Sequence, residues 1–235
     1  MTTKSRATLK DVAKLAGVST ATVARVIHNQ GYVSAEARIA VEAAIDATGY
    51  RINAVAQGLR RQRSLVIGHV LRAIAPNPFF ANVALGVDEE AARFGCGVLT
   101  TNTQEDPQME RDAVETLLRR QVDAILFTSV RDLHNLELAA EAGIPVVQVE
   151  RVSIPSLPGV VADNEQGTLA AIDHLASLGH RRIAFIGESS ETRGDGYSRQ
   201  VERDRLSGYR IGLAKHGLDS DDALVDIDGA YFDAE

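Results

Sequence analysis

The chain is poor in the residues that staple small folds or mark export. Its 235 residues contain one cysteine, Cys96, so neither an intramolecular disulfide nor a cysteine-based zinc cluster can form and nothing points to an oxidising compartment. No apolar run approaches the roughly 20 residues that cross a bilayer, and the polar start MTTKSRATLK lacks the apolar core of a secretory signal. A cytoplasmic location is therefore expected. Nineteen Gly and six Pro follow no period, and 45% hydrophobic against 24% charged residues is ordinary globular composition, which excludes collagen and disorder.

Charge is present but unevenly placed. The net charge of −7 would argue against a nucleic-acid partner if it were uniform. Residues 1–63 carry +6, however, and residues 64–235 carry −13. A basic head on an acidic body predicts two modules, of which only the head can approach a polyanion.

From Thr8 to Gly49 apolar residues recur at helical spacing, and the helix starts are marked by capping residues. Thr8 caps a first helix with Asp11 reaching back, and Val12 and Leu15 are expected to face inward. Gly17 allows a sharp turn. Ser19 caps a second helix through about Ile27, bearing Val23, Val26 and Ile27. Ser34 caps a third from Ala35 to about Ala47, ended by Gly49, whose Ile39, Val41, Ala44 and Ile45 are expected to close a small core.

After Ser64 short apolar runs alternate with amphipathic stretches, the pattern of a parallel α/β sheet. Strands are expected at Leu65–Leu71, Gly97–Thr101, Ala124–Phe127 and Pro145–Val149, with helices near Phe80–Phe94, Pro107–Arg120 and Leu133–Ala142 between them. A Ser- and Pro-containing loop, Ser153–Gly159, leads to a second series. It comprises Val160–Val161, helix Glu165–Leu178, strand Arg182–Gly187, helix Arg203–His216 and strand Leu224–Ile227. The expected domains are a DNA-binding head (1–52), a hinge (53–63), a first lobe (64–155) and a second lobe (156–235).

The segment Thr8–Ile27 has the physical form of a helix-turn-helix. Its second helix begins with small polar residues and ends apolar. Thr20, Ala21 and Arg25 can enter a major groove while Ser19, Thr22 and the unsatisfied helix N–H groups hold phosphates. Thr8 caps the helix before it, and His28 and Asn29 at the helix end can touch the backbone. Thr20 and Ala21 are small, so Arg25 is the side chain able to grip guanine bidentately.

With TLKDVAKLAGVSTATVARVI followed by VSAEAR and GYRINAVAQGLR, the head resembles the N-terminal signature of the lactose/purine repressor (LacI/GalR) family. The resemblance implies a dimeric transcriptional regulator, most often a repressor, acting on a near-palindromic operator. It also implies a fourth short helix, about Asn53–Arg60, that forms on DNA at the operator's minor groove. Leu59 aligns with the family's wedging leucine, flanked by Arg60 and Arg61, and Asn53 opens the segment. Ala24 departs from the family's usual Ser.

The body resembles the family's periplasmic-binding-protein-like core, through PNPFF (76–80), RRQVDAIL (119–126), GIPVVQVER (143–151), VVADNEQG (160–167), HLASLGHRRIAFIGE (174–188) and DRLSGYRIGL (204–213). Ligands of open α/β sheets sit beyond the strands' carboxyl ends, which places Asn77, Phe79, Glu150 and Arg151 as candidate effector contacts. Arg199 aligns with an arginine that family members use to hold an effector hydroxyl or carboxylate, and Arg205 with a second in the purine-responsive branch. Most of the remaining charge in YSRQVERDR is expected to face solvent. Asp163 and Asn164 are expected to brace a turn. A carbohydrate or its derivative is the effector class the resemblance implies, with nucleobases also used.

Two other classes of protein account for less of the sequence. An enzyme lacks an inventory: FIGES has no phosphate-binding sequence around its Gly, no Ser lies in a G-x-S-x-G context, and no His pair has ligand spacing. His174 and His180 flank a helix end, which favours capping, and Cys96 reads as a small core residue. No catalytic residue, metal or cofactor is therefore expected. A solute-binding protein without DNA-linked regulation accounts for the body but not the head. In the resembled family the chain returns to complete both lobes, whereas here Glu235 follows soon after a predicted strand. An incomplete second lobe is expected, with weakened effector binding and dimerisation.

Overall fold

Local capping chemistry and apolar periodicity produce two units, divided after Gln62, in a computed structural model that describes residues 7–51, 63–187 and 199–227. In the first unit the described helices are α1 (Leu9–Ala16), α2 (Thr20–His28) and α3 (Ala35–Thr48). The expected capping box closes α1: the Asp11 carboxylate accepts the Thr8 N–H at 2.8 Å and its hydroxyl at 2.7 Å, and Thr8 Oγ1 accepts the Asp11 N–H at 3.4 Å. These Thr8 hydrogen bonds hold the Asp11 carboxyl below the usual carboxylate range. Gly17 ends α1 at φ 66°, a left-handed conformation that costs a Cβ-free residue little.

Val12, Ala13, Val23, Val26, Val41 and Ala44 form the head's core. Two expected members are corrected. Leu15 and Ile39 are 58% and 67% exposed, because α1 buries the stripe Leu9, Val12, Ala13, Ala16 and α3 the stripe Val41, Ala44, Ile45. Leu15, three residues past Val12, falls beyond the edge of the stripe away from Leu9, Ala13 and Ala16, and Ile39 lies off the face of Val41, Ala44 and Ile45.

The second unit begins at a clamp. The Asp123 carboxylate accepts the Ser64 N–H at 2.7 Å and the Leu65 N–H at 2.9 Å, fixing where the chain enters the sheet. Strands β1 (Val66–Leu71), β2 (Gly97–Asn102), β3 (Ala124–Thr128), β4 (Val146–Val149) and β5 (Gly159–Val160) alternate with α4 (Pro78–Arg93), α5 (Pro107–Arg119) and α6 (Leu133–Glu141). They form a parallel sheet of order β2-β1-β3-β4-β5, a doubly wound topology that reverses direction between β1 and β3. One face packs Val70, Ile125, Phe127 and Val146 on Val114 and Leu117 of α5 and Leu136 and Ala139 of α6. On the other face, Ile67 and Leu126 line an apolar hollow together with Val83, Val87 and Ala91 of α4.

The strand expected at Val160–Val161 as the start of the second lobe instead belongs to the first sheet, as Gly159–Val160. Glu150 N–H donates to Val160 O and Gln148 N–H to Pro158 O, both at 2.9 Å, so β5 extends the first sheet. The loop before it is pinned by the buried Gln148 amide, whose oxygen accepts the N–H groups of Ser153 (2.7 Å) and Ile154 (2.9 Å) and whose nitrogen donates to Ile154 O (2.9 Å). Cys96 is half-buried, not core; it sits in the turn between α4 and β2.

In the second lobe α7 (Asn164–Ser177) and α8 (Gln200–Lys215) pack together beside the short parallel pair β6 (Phe185–Ile186) and β7 (Val225–Asp226). The expected strands at Arg182–Gly187 and Leu224–Ile227 are longer than the pairing supports, and Leu224 lies in a 3-10 turn, Asp222–Leu224. Ile172, Ile183, Leu206, Tyr209 and Leu213 form this lobe's core. Two glycines let the helices approach: a Cβ at Gly208 would collide with the Glu165 carbonyl, and one at Gly212 would lie 2.7 Å from Ile172 Cβ. At the end of α7, backbone N–H groups of Leu178 and His180 close on His174 O and Leu175 O, so the backbone forms the cap that the His174 and His180 rings were expected to supply. No helix among the described residues is long and apolar enough to cross a membrane.

Candidate functional site

The first candidate surface is the start of α2. Ser19 Oγ accepts the Thr22 N–H at 3.1 Å and lies 3.0 Å from Thr22 Oγ1, so both hydroxyls are ordered at the helix N-terminus. Thr20, Ala21 and Arg25 are exposed. The N–H groups of the first turn beyond the cap carry the positive end of the helix dipole. The Arg25 stem runs beside Gly31, whose added Cβ would lie 3.9 Å from Arg25 Cδ. Asn29 ends α2 in the left-handed conformation (φ 49°) and accepts from Arg38 Nη2 at 3.2 Å, so it ties α2 to α3. Thr8 is spent on its capping box at the opposite end of α1 from the turn. Asn53, Leu59, Arg60 and Arg61 lie outside the described residues.

The second is a cleft of about 430 Å³ beyond the carboxyl ends of β1 and β4, walled on the other side by the second lobe. Most of the expected effector residues converge there: Asn77, Phe79, Glu150, Arg151 and Arg205 line it. Asn77 caps α4 through its side-chain oxygen, which accepts the Phe79 N–H at 3.0 Å. Phe79 is 43% exposed and meets Phe80 edge-on at 5.4 Å, presenting one ring to the cleft. Asp163 caps α7 by accepting the Gln166 N–H at 3.0 Å, the turn-bracing role expected of it.

The arginines are already engaged. Arg151, 4% exposed, donates two parallel hydrogen bonds to Glu202, Nη1 to Oε2 at 2.7 Å and Nη2 to Oε1 at 2.8 Å, and its Nε lies 3.4 Å from Glu150. Arg151 belongs to the first lobe and Glu202 to α8, so this pair joins the two walls. Burial would raise the Glu202 pKa, but the hydrogen bonds and charge of Arg151 outweigh it and hold the carboxyl below its ordinary value. Arg199 precedes α8 without capping it. It is buried, and its Nη1 lies 3.9 Å from Glu202, whose own buried side chain goes against the expectation that the remaining charge of this segment faces solvent. Arg205 donates from Nε to Asn164 Oδ1 at 2.9 Å, and Arg72 pairs with Glu105 at 2.8 Å while covering the Phe80 ring.

Sequence reasoning missed Arg72, Glu105 and Glu202. Glu202 was detectable, because it falls on the buried stripe of α8 with Leu206, Tyr209 and Leu213, where an acid requires a partner. Glu110 is a similar case outside the cleft. Fully buried on the inner face of α5 with Ala113 and Leu117, it accepts the N–H groups of Arg131 (2.8 Å) and Asp132 (3.0 Å) and the Asn135 amide (3.1 Å), bracing the loop after β3. Burial raises its carboxyl above the usual range despite these bonds.

A helix-turn-helix unit followed by a doubly wound parallel α/β unit, with a cleft at the strands' carboxyl ends, defines a class: a helix-turn-helix head with a periplasmic-binding-protein-like body. Residues 8–53 match the bacterial regulatory proteins of the lacI family, and residues 64–230 match the periplasmic binding proteins and sugar binding domain of the LacI family. The chain belongs to the LacI family. It is 34% identical over 227 residues to the HTH-type transcriptional regulator DegA of Bacillus subtilis (strain 168), covering 94% of this chain and 64% of that protein. To the HTH-type transcriptional regulator GalR of Escherichia coli (strain K12) it is 34% identical over 226 residues, 93% of this chain and 62% of that protein. The chain thus spans less than two thirds of these relatives' length. Among solved structures, the lac repressor dimer bound to operator and the anti-inducer ONPF superposes with a TM-score of 0.75 at 26% identity, covering 95% of this chain and 66% of that one. A transcriptional regulator CelR–cellobiose complex superposes at 0.57 with 30% identity, covering 94% and 65%. These relatives are transcriptional regulators rather than enzymes.

Proposed function

We propose that this chain is a sequence-specific DNA-binding transcriptional regulator of the cytoplasm, a repressor acting as a homodimer on a near-palindromic operator, with operator affinity set by a small sugar or sugar derivative. Residues 1–52 are the DNA-binding head and 53–63 the hinge, with Asn53, Leu59 and Arg60 meeting the minor groove. Residues 64–235 are the effector-binding body, whose first lobe runs beyond residue 155 to include β5. Support comes from the relatives: one solved neighbour holds operator and anti-inducer as a dimer, and another holds cellobiose.

The observation that carries the reading is the exposed first turn of α2. Thr20 and Ala21 stand clear of the core with Arg25 exposed beyond them, while Ser19 and Thr22 order the N-terminus. This is the geometry a recognition helix presents to a groove. Asn77 and Phe79 offer a neutral ligand an amide and an aromatic face, and Glu150, Arg151 and Arg205 provide the polar wall, with Arg199 beside Glu202.

The test is Arg25→Ala, titrated against operator and random DNA by fluorescence anisotropy. Loss of a bidentate base contact should cost about 1–3 kcal/mol on operator only. Equal losses on both DNAs would remove Arg25 from base reading and leave it a phosphate contact.

A further inference from the structure

The cleft carries three arginines and three carboxylates among its described lining residues: Arg72, Arg151 and Arg205 against Glu105, Glu150 and Glu202. Its charge is therefore matched from within. Each arginine also has a partner at hydrogen-bond distance, namely Glu105, Glu202 and Asn164. The decisive one is Arg151, because it is the most buried and because Glu202 grips it through two parallel N–H···O bonds. That fork is the arrangement by which a guanidinium recognises a ligand carboxylate or phosphate. Here the fork is filled by the protein's own carboxylate, which also lies within 3.9 Å of Arg199.

We infer that Glu202 determines the charge class of the effector: it acts as a built-in counter-anion that fits the cleft to an uncharged polyhydroxy ligand and against sugar phosphates, sugar acids and nucleotides. The inference rests on the proposal that the effector binds in this cleft. An anionic ligand would meet Glu105, Glu150 and Glu202 with the buried Arg151 fork already filled, and displacing Glu202 from Arg151 would leave a carboxylate buried without its partner. A neutral ligand instead finds acceptors for its hydroxyls in those same carboxylates and an apolar face in Phe79. Arg151, and through it Glu202, thereby acts on specificity without needing to contact a ligand anion.

The test uses inorganic phosphate as the anion probe, with chloride at matched ionic strength as control, read by thermal shift and calorimetry on the full chain. Wild-type protein should show no saturable phosphate binding in the low-millimolar range. Glu202→Gln, which keeps the shape but removes the charge, should bind phosphate at least roughly tenfold more tightly, and Arg151→Met/Glu202→Gln should lose that gain. If Glu202→Gln is too unstable to titrate, Glu202→Ala supplies the same answer, since phosphate should then raise its melting temperature by entering the vacated position.

A wild-type protein that binds phosphate as tightly as Glu202→Gln would overturn the inference. So would folded variants that gain no phosphate dependence, because a purely structural Glu202 changes stability alone. Failure of the underlying reading looks different. Neutral sugars that shift neither wild-type nor variant protein would count against an effector cleft while leaving the phosphate comparison intact.

Discussion

Replacing Arg151 by Met is expected to lower the stability of the body by about 3–5 kcal/mol, the cost of leaving a buried charge without its partner. Glu202 is 9% exposed at its side chain and Arg151 4%, so solvent cannot take over the lost hydrogen bonds. The companion variant Arg151→Met/Glu202→Met should recover most of the loss, because removing both charges removes the desolvation penalty as well. Urea denaturation followed by circular dichroism measures both. A single-variant loss below about 1 kcal/mol would show that the pair behaves as a solvated surface bridge.

The same pair fixes a pH dependence. Glu202 is held below its ordinary value of 4.5, so its contribution to stability is fully present above that value and is lost as the pH falls through its lower folded-state pKa. In Arg151→Met, burial acts on Glu202 without the opposing guanidinium, and its carboxyl takes up a proton at higher pH than in the wild type. The wild-type and variant stabilities should therefore converge in acid. A gap that stays constant from neutral pH down to about 4 would mean that the lost contacts are packing rather than charge.

What could be read in advance follows the range of the interaction involved. Thr8, Ser19 and Ser34 are N-caps whose partners lie three residues away, so spacing alone identified them. The four apolar strands of the first sheet were legible for the same reason, as continuous runs bounded by turn residues. β5 was placed in the wrong lobe because its membership depends on pairing with β4 across a loop, and two residues carry no period of their own. Leu15 and Ile39 are expected inward on hydrophobicity alone, whereas the helix face selects Ala13 and Ala16 in α1 and keeps only Val41, Ala44 and Ile45 in α3.

The candidate cleft divides along the same line. Phe79, Glu150 and Arg151 were found from their position after strands. The states of the arginines were not, because they depend on residues distant in sequence: Arg151 is set by Glu202 and Arg205 by Asn164, 51 and 41 residues away. Glu110, Gln148 and Glu202 are polar side chains on buried faces. Such residues interrupt an apolar pattern, and the interruption is visible even though the partner is not. In the head, the converse holds, since Thr20, Ala21 and Arg25, which we propose meet DNA, are side chains that the helical core leaves exposed.

Acid should also destabilise the body through His69. This residue lies within β1, fully buried, on the face that carries α4, with Nε2 at 2.8 Å from Thr128 Oγ1. Nδ1 has no hydrogen-bond partner among the described residues, so the charged ring, which needs a partner for both N–H groups, is poorly accommodated. Burial pushes its pKa down to about 4 from the ordinary 6.5. Between those values the unfolded chain holds a proton that the folded protein refuses, so stability falls as the pH falls from 6.5 and levels off near 4. A displacement of that size corresponds to about 3 kcal/mol across the window. His69→Gln retains an amide able to reach Thr128 but cannot titrate, and the difference between its stability and that of the wild type, measured from pH 7 to about 4, isolates the histidine from the carboxylates that also respond to acid. The wild type should lose stability relative to His69→Gln throughout the upper part of that range. Parallel curves would place the acid sensitivity elsewhere and show that the β1–β3 seam accepts a charged ring.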